Sequence, residues 1–136
     1  MNIFLWFLQA VLALAMLGSG LVKSFVPKPG ILKLGQTGVT HLEPSTIRFI
    51  GITELFGALG VLLPQLTRTA AWLTPLAAFG FAVVMVLAYQ THTRLMLKAI
   101  DPARAKKESS NRITNVMLFI ASVVVVLARG SELFAS

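Results

Sequence analysis

Glu54 stands alone inside an otherwise uncharged apolar run between Arg48 and Arg68. A carboxylate in such a place must turn away from lipid, hold its proton, or pair with a cation. Arg48, Gly51 and Glu54 recur at a spacing of three, with Ala58 four further on. That spacing puts them on one side of a helix and makes Arg48 the expected partner of the acid, about 9 Å away along the axis. Gly51 and Ala58 flank Glu54 with almost no side chain, leaving room for a neighbouring helix or a ligand. Glu54 is therefore the candidate catalytic group, able to supply or take a proton. The blander role is a helix-to-helix hydrogen bond.

Other polar residues sit at the ends of apolar runs. Lys23 closes the first, His92 follows the third and Asn115 lies near the start of the fourth. Each belongs to a seam of small or polar residues. Gln9, Ala13, Met16, Gly20 and Lys23 follow a 4-3-4-3 spacing, as do Asn115, Phe119, Ser122, Val126 and Arg129. Ala78, Met85 and His92 recur at spacing seven. Such faces turn inward, away from lipid. The candidate ligand-binding set around Glu54 is Lys23, Arg48, Gly51, Met85, His92 and Asn115, with His41 on the connection that covers them. No metal site is expected, because the two histidines form no HxxxH pair and the chain has no cysteine. The lack of cysteine also excludes disulfides and a dithiol relay.

The elements that must position these groups are four apolar stretches: Ile3 to Val22, Arg48 to Arg68, Thr69 to Thr91, and Ile113 to Ala128. The chain is 56% hydrophobic and 12% charged, about half the charge of a soluble domain. Its mean hydropathy is +0.80. These values exclude a soluble enzyme domain and a disordered chain. They predict an all-α integral membrane four-helix bundle, one domain over 1–136, with spans near 3–26, 46–66, 69–92 and 113–129. No basic residue precedes the first run, so it is read as a retained helix and not a cleaved signal. The fourth run is the shortest, about 24 Å long as a helix. It spans if Arg112 and Arg129 snorkel to the interfaces. Pro27 and Pro29 end the first helix, and the stretch 31–46 lies at the interface or dips into the bundle. Residues 101–112 are expected to form a flexible, solvated connection whose charges face lipid headgroups.

The formal charge is +7. Lys23, Lys28, Lys33, Arg48, Arg94, Lys98, Arg104, Lys106, Lys107 and Arg112 fall on one side of the expected topology, and only Arg68 and Arg129 on the other. The excess therefore reads as positive-inside topology and contact with the lipid bilayer, with no nucleic-acid partner. It places both termini outside the cytoplasm and the polar groups in the cytoplasmic half.

The segment RFIGITELFGALGVLLP, Arg48 to Pro64, resembles the second-span signature of DoxX-like membrane proteins. Gly20 with Lys23, the LTPLAA stretch from Leu73 to Ala78, Met85, Ala88, His92 and Asn115 fit the same resemblance, which covers nearly the whole chain. It implies a four-helix bundle of the bacterial inner membrane. Some relatives are subunits of a thiosulfate:quinone oxidoreductase; others are linked to redox-stress complexes or to maturation of periplasmic enzymes. The fold is also similar to the vitamin K epoxide reductase bundles, whose cysteine chemistry does not transfer to a chain without cysteine.

Three functions fit these features. The first is a redox-associated subunit that binds a quinone or similar lipid-soluble ligand, with no covalent cofactor. It would be at most one subunit of an oxidoreductase, working with a membrane redox partner. Here Lys23 and His92 donate to the ligand, Glu54 handles the proton, and Arg48 holds Glu54 ionised. The second is a small proton-coupled transporter using Glu54. The third is an assembly scaffold without a small ligand, using Gly57, Gly60 and the Ala-rich third span as contact faces, which also admits a homo-oligomer.

Overall fold

The computed structural model describes residues 2–135. Five α-helices follow one another: α1 Ile3–Phe25, α2 Lys28–Lys33, α3 Pro44–Thr67, α4 Leu73–Lys98 and α5 Pro102–Ala135, with a 3-10 turn at Thr37–Val39. Helices α1, α3, α4 and α5 are each long and apolar enough to cross a bilayer. The chain is an all-α, multi-pass membrane bundle.

Local chemistry sets the helix ends. Asn2 caps α1 by accepting from Leu5 N at 3.3 Å. Pro27 stops α1, and Pro29 and Pro44 then sit in the first turns of α2 and α3, where a missing N–H costs nothing. Between α3 and α4 the backbone turns through left-handed Arg68 (φ 54°) and Ala70 (φ 51°). This turn delays α4 to Leu73, a few residues later than the start of its apolar run at Thr69. Asp101 opens α5, its Oδ1 accepting from Ala103 N at 3.0 Å with Pro102 behind it.

That cap corrects the expectation of a flexible connection over 101–112. The charged stretch is the first three turns of α5 and is helical throughout. Its Ala, Arg, Lys and Glu residues are strong helix formers, and a capped start lets the helix run without a break into the apolar span.

Helix α1 packs on α3 and α4 on α5, and α3 lies against α4. The α1–α3 contact depends on glycine. A Cβ at Gly51 would lie 2.7 Å from Ser24 Oγ and 2.8 Å from Lys23 Cβ, and one at Gly20 would lie 2.9 Å from the Gly51 carbonyl oxygen. The two backbones approach as closely as small residues allow. Leu12, Met16, Ala58, Val61, Ala78, Phe81, Met85 and Val125 fill the core towards the end that carries the termini. Ile31, Val39 and Ile47 form a second cluster beneath the α1–α3 connection.

Polarity is distributed as a bilayer requires. Gln9, Glu54, Thr74, His92, Asn115, Ser122 and Arg129 are buried, while Phe4, Phe7, Phe49, Phe56 and Phe79 are exposed on the outer faces. Water would penalise those outer faces, and hydrocarbon accepts them.

Candidate functional site

Away from the apolar core, towards the α1–α3 connection, the four long helices enclose a cavity of about 530 Å³. Lys23, Glu54, Met85, His92 and Asn115 line it, and exposed His41 stands at its edge. The structure thus brings together five of the seven residues singled out in the sequence. Arg48 and Gly51 are the exceptions.

Lys23 Nζ donates to Glu54 Oε1 at 2.9 Å. Their side chains are 12% and 4% exposed. This corrects the expected Arg48–Glu54 pair: Arg48 is exposed on the outside of α3. Each step of three residues falls short of a full turn by about 60°, so two steps carry Arg48 about 120° away from Glu54. The cation comes instead from α1, at the level where Gly51 lets that helix approach. Gly51 acts through packing and does not line the cavity. The second carboxylate oxygen, Glu54 Oε2, is buried without a protein partner.

Across the cavity, His92 Nδ1 lies 2.6 Å from Glu108 Oε2. Thr37 Oγ1 donates to Glu108 at 2.8 Å and 3.1 Å. Glu108 is 1% exposed. With Nδ1 committed to the carboxylate, the imidazole is oriented and its Nε2 is left for the cavity. Gly38 beside it has no side chain to cover that nitrogen: a Cβ there would lie 3.4 Å from Nε2. The cavity is therefore lined by both members of the Lys23–Glu54 pair and by His92, whose partner Glu108 does not line it, and each pair has a hydrogen-bonding atom to spare. Asn115 adds a third group, since its Nδ2 is buried without a partner. Among the described residues, no group of three or more His, Asp or Glu side chains is placed to hold a metal ion.

The chain matches the model of the DoxX-like family over residues 7–125. It belongs to that family. The match takes in all of the cavity-lining residues and most of the four spans of this DoxX-like protein. No curated protein and no solved structure matches the chain.

Glu108 and Thr37 were not singled out in the sequence. Glu108 lies in a run of lysines that reads as a solvated face, and Thr37 lies in a connection without periodicity. A signal for Glu108 does exist. Glu108, Asn115, Ser122 and Arg129 recur at spacing seven, and all four are buried on α5. Extending the seam of the fourth span one heptad towards the N-terminus reaches the acid.

Arg129 also departs from expectation, because it does not snorkel. At the end of the bundle remote from the cavity it is 6% exposed, with Nε donating to Gln9 Oε1 at 2.8 Å and Nη1 to Glu132 at 3.0 Å and 3.1 Å. Gln9 Nε2 in turn donates to the Val61 carbonyl at 2.7 Å, and Trp6 lies 5.5 Å from the guanidinium. Three helices are cross-braced there. Arg112, by contrast, lies over the Tyr89 ring at 4.7 Å, and its Nη2 donates to the Tyr89 hydroxyl.

Proposed function

We propose that this DoxX-like protein binds a quinone or similar lipid-soluble ligand in the cavity and serves as the ligand-holding subunit of a redox-linked membrane assembly. The observation that carries the proposal is that Lys23, Glu54 and His92, each tied into a buried carboxylate pair, line one cavity of about 530 Å³. That volume lies within the range of small-molecule sites, and such sites are apolar with a few convergent polar groups. A quinone has two carbonyl oxygens on opposite edges of a flat ring. Lys23 Nζ and Asn115 Nδ2 are donors suited to such oxygens, while Glu54 Oε2 and His92 Nε2, the latter left as an acceptor once Nδ1–H is given to Glu108, suit a quinol hydroxyl.

A bound quinone would supply a two-electron, two-proton couple. The residues of this chain would orient the ring and hold the protons. Lys23 places a transferable proton beside Glu54, and Glu108, by accepting from Nδ1, leaves His92 Nε2 to the ligand. With no cysteine and no metal-binding cluster among the described residues, the electrons would come from a partner subunit. The cavity lies towards the end carrying ten of the twelve basic residues, which supports a cytoplasmic-half site in a bacterial inner membrane with both termini outside. A cation exporter using Glu54 fits less well, because the acid already holds a lysine.

Titration of the purified protein in nanodiscs with a short-tailed benzoquinone tests the proposal. Saturable one-to-one binding is expected, weakened about tenfold or more in Glu54→Gln and in His92→Phe, since a hydrogen bond to a charged group contributes about 1.5–3 kcal/mol. Absence of saturable binding to the wild-type protein overturns it.

A further inference from the structure

A second hollow, of about 180 Å³, lies between α4 and α5 and is lined by Met85, Val86, Tyr89, Asn115, Val116 and Phe119. Met85 and Asn115 line both this crevice and the large cavity. They are buried, at 8% exposure each, whereas Val86 and Val116 are 42% exposed on the outer faces of their helices. The crevice therefore adjoins the polar cavity at Met85 and Asn115 and reaches outward to the lipid-facing surface. Apart from the Asn115 amide at its inner end, the Met85 thioether and the Tyr89 hydroxyl, its walls are hydrocarbon. Tyr89 is held by Arg112, which stacks on its ring and donates to its hydroxyl, so the aromatic wall on that side is fixed.

We infer that the ligand is a head-and-tail molecule whose polar head occupies the cavity and whose apolar tail leaves between α4 and α5, past Met85 and Asn115, into the bilayer. This inference rests on the cavity being a ligand site. Adjacency across the two shared residues, one of them a flexible methionine, argues for one occupant rather than two. Asn115 stands where head meets tail, and its unpartnered Nδ2 is placed to donate to the head group at the point where the tail begins. A polar solute without a tail would leave the crevice unused. A bilayer lipid lying against the outer face would make no use of the buried amide.

A benzoquinone with a photoactivatable diazirine part-way along its alkyl tail tests this on the intact protein in nanodiscs. Label is expected on α4 and α5 residues around the crevice, and an excess of the tailless head compound should remove it. Val116→Trp, which fills the crevice from the lipid side, should abolish that label while the tailless compound still titrates as in wild type. Ile120→Trp, exposed one turn along α5, should change neither. Val86→Trp repeats the block from the other wall should Val116→Trp fail to fold. Label on α1 or α3, or spread over all outer faces, overturns the tail path, as does full labelling in a folded Val116→Trp protein. If the tailless compound binds saturably in those cases, the cavity remains a ligand site. If it binds nowhere in the wild-type protein, the site and the tail path fall together.

Discussion

Lys23 Nζ lies 2.9 Å from Glu54 Oε1, joining the last turn of α1 to the middle of α3 inside the bundle. The ion pair neutralises two charges that the bilayer would otherwise exclude, and it does so beside a cavity. Removing one partner leaves the other buried and unpaired, which costs about 3–5 kcal/mol. Glu54→Gln and Lys23→Met should each lower stability by that order, while the double variant should recover most of the loss. Equilibrium unfolding in mixed micelles would show it. Single losses that simply add in the double variant would mean the pair contributes nothing as a pair. Arg48→Gln, on the exposed face of α3, should stay within about 0.5 kcal/mol of wild type.

Glu108 ties three elements at once: His92 of α4, Thr37 of the 3-10 turn, and its own helix α5. Glu108→Ala should leave the imidazole Nδ1 and the Thr37 hydroxyl without their acceptor, at about 1–3 kcal/mol. The local effect should exceed the global one. Amide exchange in residues 34–42 should accelerate markedly while the centre of α1 stays protected. Unchanged exchange in that connection would show that Ile31, Val39 and Ile47 hold it without the acid.

Two glycines on neighbouring helices should respond with opposite sign. A Cβ at Gly51 would meet the Ser24 backbone nitrogen at 2.8 Å, so Gly51→Ala must push α1 and α3 apart, at about 1–3 kcal/mol. Gly18 has nothing within 4 Å of its Cβ position, and Gly18→Ala should stabilise by up to about 1 kcal/mol through helix propensity. Thermal unfolding of both variants distinguishes packing from propensity. Equal effects would show that the α1–α3 contact adapts freely.

Arg129 uses a planar fork: Nε reaches Gln9 and Nη1 reaches Glu132. Arg129→Met should destabilise by about 1–3 kcal/mol, chiefly by leaving the buried Gln9 Oε1 without its donor, and Arg129→Lys should fail to restore it because a single ammonium cannot make both contacts. The proposed ligand site lies at the other end, so quinone titration of a folded Arg129→Lys protein should match wild type. A loss of binding there would show that the two ends are coupled.

The number of spans and the membrane class follow from composition and spacing, because burial in hydrocarbon leaves a one-dimensional record of long uncharged runs. The inward faces at Met85, His92 and Asn115 were legible for the same reason: polar groups on a spanning helix have only one acceptable side. Partner choice was not legible. Arg48 is near Glu54 in sequence but about 120° round the helix, and Lys23 reaches the acid only because Gly20 and Gly51 let two backbones touch. Glu108 looked like one more surface charge until α5 proved continuous and a turn from the distant connection laid Thr37 against it. Spacing along one helix fixes direction. Which charge meets which depends on the distance between helices, and that distance is set by the small residues at each crossing and by the caps that keep the helices whole.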